Sequence, residues 1–134
     1  MTIRIAMWSG PRNISTAMMR SFGSRPDTAV SDEPLYAHYL KVTGTAHPGR
    51  DEVIAAHESD WRKVVAALTG PAPGGRAIWY QKHMAHHLLP GVGRDWLDAL
   101  THAFLIREPG EMVVSLCRTF PGAALADTGL PQQC

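Results

Sequence analysis

The sequence predicts an α/β fold: a mainly parallel sheet with helices flanking it. Three observations carry that expectation. Short apolar runs alternate with segments of helical periodicity along most of the chain, and each run stops at a turn rich in Gly, Pro or acidic residues. The run over residues 102–106 reads as apolar throughout, as a parallel strand covered on both faces would. In such an architecture ligands gather at the carboxyl ends of the strands, so residues just past each strand are the candidates for chemistry.

The elements follow in order. Residues 3–8 form an apolar strand that stops at Ser9-Gly10-Pro11. A helix over residues 15–22, carrying Met18, Met19 and Phe22, ends at Gly23, and Pro26 bars its continuation. Residues 28–31 make a second strand, closed by Asp32-Glu33-Pro34; a short helix over 35–42 and a loop over 44–50 come next. From Asp51 onward, Val53, Ile54, His57, Trp61, Val64, Val65 and Leu68 recur at steps of three and four, which predicts one long amphipathic helix. The Gly/Pro stretch over 70–75 is too short to link domains. A third strand is expected over 76–82, a short helix over 95–100, a fourth strand over 102–106 and a helix over 111–119. Residues 121–134 lack periodicity and are expected to form an irregular tail.

A length of 134 residues fits one domain, 1–134. Four strands make a small sheet and the last helix needs a partner on its far side, so the domain is expected to be truncated at its C-terminus, and an uncovered sheet edge favours a homodimer. A formal net charge of +1 gives no reason to expect nucleic acid or a membrane surface as a partner. Cys117 and Cys134 have no metal-type spacing. There is no apolar run of roughly 18 residues and no signal-like N-terminus. A cytoplasmic protein without a metal is expected.

Three clusters follow predicted strands. In the first, the turn from strand to helix leaves backbone N–H groups pointing one way at the positive end of the helix dipole, an anion site most often used for phosphate. Arg12 adds a planar fork of donors there, and Ser15 and Thr16 add hydroxyls or simply cap the helix. The second, residues 81–90, puts Lys82 beside His83, a cation for developing negative charge next to a base with a near-neutral ordinary pKa. Both also read as a solvated strand-end charge and a packed ring. His83 and His87 have the spacing of a helical metal pair, but no third ligand accompanies them. The third, residues 107–115, carries Arg107 and Ser115, which either clamp a second phosphate or leave Arg107 in a surface pair with a neighbouring glutamate.

Together these clusters resemble the sulfotransferase family that uses 3′-phosphoadenosine 5′-phosphosulfate. Its phosphosulfate loop, PKSGTT, lies without a gap on Pro11, Arg12, Asn13, Ile14, Ser15 and Thr16. Its catalytic stretch, KTHLPxxLLP, lies on residues 81–90, with His83 at the general base and Leu88-Leu89-Pro90 on the LLP. Its RxxxDxxVS motif lies on residues 107–115, with Glu111 in place of the aspartate. Departures are Ile14 at the loop glycine, Ala17 where a tryptophan often stacks on adenine, Gln81 for the first lysine, and no counterpart of the later Gly-rich motif.

The resemblance implies a P-loop-type three-layer sandwich and transfer of a sulfuryl group from that nucleotide to a hydroxyl or amine of a small acceptor. His83 would take the proton, Arg12 and Lys82 would stabilise charge, and Arg107 and Ser115 would hold the 3′-phosphate. Glu33 is an alternative base. A small-molecule kinase is a competing reading, weakened because GxxxxGK[ST] is not met. A non-catalytic nucleotide-binding remnant is another.

Overall fold

A computed structural model describes residues 1–134. Four parallel strands, β1 (Ile3–Ser9), β2 (Thr28–Asp32), β3 (Ile78–Met84) and β4 (Thr101–Leu105), form one sheet in the order β2-β3-β1-β4. Side chains alternate along each strand, so the register decides what meets on each face. Ala6 pairs with Gln81 and Trp8 with His83, while Met7 pairs with Lys82 and Lys82 with Asp32. The first set faces the main core, which includes Trp79, Trp96, Leu35 and Leu88. Val64, Val65 and Leu68 of helix α4 (Trp61–Leu68) close that core. On the opposite face, Phe22 of helix α1 (Ser15–Gly23) stacks on Tyr80 with ring centroids 4.4 Å apart.

The central strands β1 and β3 are the buried ones. β4 differs from its expectation: Thr101, His102 and Phe104 are exposed, so β4 is an edge strand and not one covered on both faces. Phe104 is 52% exposed, and Ile106, just past the strand, 64%.

The long helix expected from Asp51 to Leu68 is two helices, α3 (Arg50–Ala56) and α4, with helix α2 (Tyr36–Thr43) packed on α3. The hydrophobic spacing runs through the break, but local polar chemistry does not. His57 is extended, Glu58 accepts the Asp60 amide at 2.9 Å, and Asp60 caps α4 by accepting the Arg62 amide at 3.0 Å. Acidic side chains that bond nearby amides start a new helix in preference to continuing the old one.

Helix α5 (Pro109–Thr119) starts with Pro109 in its first turn and Glu108 as cap, the carboxylate accepting the Glu111 amide at 2.7 Å. The tail expected to be irregular is ordered: a 3-10 turn over Leu125–Thr128 leads into helix α6 (Leu130–Gln133). It folds back onto the carboxyl edge of the sheet. Gln133 Nε2 donates to the carbonyls of Trp8 and Leu105 at 3.3 and 3.4 Å, tying the ends of β1 and β4 together.

Candidate functional site

Strand order reverses between β1 and β4, because the chain crosses from β3 over β1 to reach β4. Loops leaving neighbouring strands at such a point diverge and open a crevice. Arg12 leaves β1 and Arg107 leaves β4 on either side of it.

The loop before α1 is held by its own polar groups. Asn13 Nδ2 donates to the Gly10 carbonyl at 3.1 Å and to the Leu105 carbonyl at 3.5 Å, fastening the loop to the end of β4. Gly10 allows close approach of the tail, since a Cβ there would lie 2.5 Å from the Thr128 carbonyl oxygen. Arg12 has φ of 62°, the left-handed region that costs a non-glycine residue about 1 kcal/mol or more. No side chain caps α1, so its first amides stay open to a ligand; Ser15 is buried beside them while Thr16 is exposed.

Arg12 Nε donates to Ser115 Oγ on α5 at 2.9 Å, and Arg107 Nη1 donates to the Arg12 carbonyl at 2.9 Å. Residues 12, 107 and 115, far apart in the chain, therefore converge. The terminal amino groups of Arg12 make no hydrogen bond within the protein, and the nearest carboxylate to Arg107 is Glu111 at 3.8 Å. A shallow cleft of about 430 Å³ adjoins them, lined by Arg107, Gly110, Glu111, Val114, Ser115 and Arg118. Two arginines and a serine hydroxyl thus stand together at this corner, with Glu111 the one carboxylate lining the cleft.

Lys82 and His83 do not belong to one centre. β3 continues to Met84, two residues beyond its expected end, so both lie inside a regular strand and point to opposite faces. Lys82 Nζ sits 3.0 Å from Asp32 Oδ1 and 3.0 Å from Glu33 Oε1. Burial pulls its pKa down, but the hydrogen bonds and charges of these two acids more than reverse this, and the ammonium is held above its ordinary value. The sequence showed the acids at the end of β2; it did not show that they would enclose Lys82.

His83 is 1% exposed, stacked on Trp8 with centroids 4.5 Å apart. Gln81, the departure from the family's lysine, donates to the Leu68 carbonyl at 3.0 Å and accepts from His83 Nε2 at 3.2 Å. Burial, then the nearby His102, pushes the His83 pKa down to about 3. His87 lies between Tyr36 and Tyr39, with centroids at 5.1 and 4.7 Å, and burial holds it too well below its usual value. His83 and His87 thus pack against different aromatic residues.

Glu33, unlike His83, reaches an opening. It has φ of 47°, its amide donates to the Lys82 carbonyl at 2.9 Å, and its side chain is 26% exposed. With Asp32, Tyr36, Val53 and His57 it lines a cavity of about 350 Å³. No helix of the protein is long and apolar enough to cross a membrane.

Two relatives from Arabidopsis thaliana are named branched-chain-amino-acid aminotransferase-like protein 1 and protein 2. The first is 39% identical over 121 residues, covering 90% of this chain and 22% of the relative. The second is 37% identical over 119 residues, covering 89% of this chain and 21% of the relative. The chain thus spans about a fifth of the length of these relatives. No solved structure matches. The model of the sulfotransferase domain matches residues 3–134, nearly the whole chain, and the protein belongs to the sulfotransferase domain family.

Proposed function

We propose that this chain binds 3′-phosphoadenosine 5′-phosphosulfate and transfers its sulfuryl group to a hydroxyl or amine of a small acceptor. The observation that carries the reading is the convergence of Arg12, Arg107 and Ser115 beside the uncapped start of α1. Amides of Asn13, Ile14, Ser15 and Thr16, following Pro11, would cradle the phosphosulfate, and Arg107 and Ser115 would grip the 3′-phosphate. Arg12 would stabilise charge developing on the bridging oxygen.

The acceptor oxygen or nitrogen attacks sulfur, the bond from sulfur to the bridging phosphate oxygen breaks, and adenosine 3′,5′-bisphosphate leaves. We assign the released proton to Glu33 instead of His83, because Glu33 reaches an opening and His83 is enclosed. Lys82 then acts as a positioning residue, holding the Glu33 carboxylate by the 3.0 Å bond.

Titration of the chain with adenosine 3′,5′-bisphosphate, beside ATP with magnesium, tests the reading. Saturable binding of the bisphosphate without metal, tighter than that of ATP, is expected. Tighter binding of ATP that depends on magnesium would favour a kinase, and binding of neither would leave a non-catalytic remnant.

A further inference from the structure

A second cavity, of about 230 Å³, lies where α2, residues 45–47, the end of α5 and residues 121–127 meet. Four aromatic rings, of Tyr39, His47, His86 and Phe120, stand among its walls. His47 and Phe120 stack with centroids 5.5 Å apart and planes 27° apart, Tyr39 lies 6.5 Å from His47, and His86 meets Tyr39 edge-on at 5.2 Å. Asp127 supplies the carboxylate, and no Lys, Arg or Glu lines the cavity. One Asp127 oxygen, Oδ2, accepts the Ala124 amide at 2.8 Å, while Oδ1 has no partner within the protein. His86 is 8% exposed, and its Nδ1 makes no hydrogen bond.

These features point to one ligand chemistry. Aromatic faces carry negative potential and attract cations, most strongly where a carboxylate is near and no competing cation is present. Burial holds His86 well down, at about 4, against the pull of Asp127, so the ring stays neutral and adds no positive charge at pH 7. An anion would meet the Asp127 carboxylate, and a wholly apolar ligand would leave its Oδ1 without a partner.

We propose that this cavity binds a small alkylated ammonium. Its cationic end would lie against Tyr39, His47 and Phe120 near Asp127 Oδ1. The inference goes beyond the sulfuryl-transfer reading and needs no nucleotide.

The test is calorimetric titration of the full chain, without nucleotide, with choline chloride and with its uncharged isostere 3,3-dimethylbutan-1-ol. The same titrations are made in Asp127→Asn, which keeps an oxygen for the Ala124 amide, and in Phe120→Leu, at a half-exposed position; thermal melts verify folding. Saturable choline binding is expected, roughly tenfold or more tighter than the alcohol and weakened about fivefold or more in each variant. Absence of saturable choline binding, equal binding of the alcohol, or unchanged choline affinity in either folded variant would overturn the proposal.

Discussion

Two corners of the same sheet edge hold their cations in opposite ways. At the end of β3, Lys82 is 5% exposed with a carboxylate oxygen of Asp32 and one of Glu33 each at 3.0 Å. At the ends of β1 and β4, Arg12 bonds a neutral hydroxyl, and Arg107 has its nearest carboxylate at 3.8 Å. A lysine enclosed by two acids presents little net field to a ligand, whereas a guanidinium with unengaged amino groups presents both charge and donors. The lysine falls inside the family's catalytic stretch, yet its ammonium is already engaged by two carboxylates. Ion pairing, more than position in a motif, separates the residues available to a ligand from those already committed.

The comparison holds only while the core beneath both corners is intact, and acid sets the limit. His83 and His86 have folded pKa values of about 3 and about 4 against an ordinary 6.5. Each folded value is depressed, so the stability these neutral rings contribute is present above pH 6.5 and lost as pH falls towards the folded values. Each ring should cost about 1.4 kcal/mol per pH unit in that window, so urea unfolding at pH 5 should show a loss of at least about 4 kcal/mol relative to pH 7.5, with the buried His87 adding to it. His83→Gln should flatten that slope. A stability independent of pH across the window would contradict neutral burial.

Next in size is the pair of arginines. Arg12→Ala with Arg107→Ala should weaken adenosine 3′,5′-bisphosphate by about a hundredfold, near 3 kcal/mol, as expected for charge-assisted hydrogen bonds to phosphate. Gly10→Ala should cost about 1–3 kcal/mol of stability by forcing the Thr128 carbonyl away, read from the urea midpoint. Lys82→Met should cost about 1–2 kcal/mol, less than breaking a fully buried pair, because Asp32 is 54% exposed. That variant should leave bisphosphate affinity within about twofold, because the Lys82 ammonium is engaged by Asp32 and Glu33 and does not line the cleft beside Arg107. A large loss of affinity in Lys82→Met would erase the contrast between the corners. Ser115→Ala, the smallest change, should weaken the bisphosphate by about three- to fivefold, the worth of one hydroxyl contact.

Much of this arrangement was legible in the chain. Apolar runs separated by Gly and Pro turns located all four strands to within two residues, and the parallel order followed from their alternation with helices. Spacing put residues 12, 107 and 115 just past strand ends on one edge of the sheet, while only the family resemblance linked them to a single ligand. The misses share a cause, competition that a one-dimensional pattern cannot display. Glu58 and Asp60 broke a helix whose apolar stripe was continuous. β4 reads like an inner strand, yet no strand pairs with its outer edge. The tail looked irregular because its order comes from contacts with Gly10, Ala85 and Trp8, not from its own periodicity. Adjacent positions in a motif, Lys82 and His83, became separate sites once β3 ran through both.

A difference titration asks whether the β1 and β4 corner is built for a nucleotide with a 3′-phosphate. Adenosine 3′,5′-bisphosphate and adenosine 5′-monophosphate are each titrated into the native chain and into Arg107→Ala. The expected result is a preference for the bisphosphate of about tenfold or more in the native chain that collapses towards unity in the variant. Equal affinity for the two nucleotides in the native chain, or a preference that survives Arg107→Ala, would contradict it.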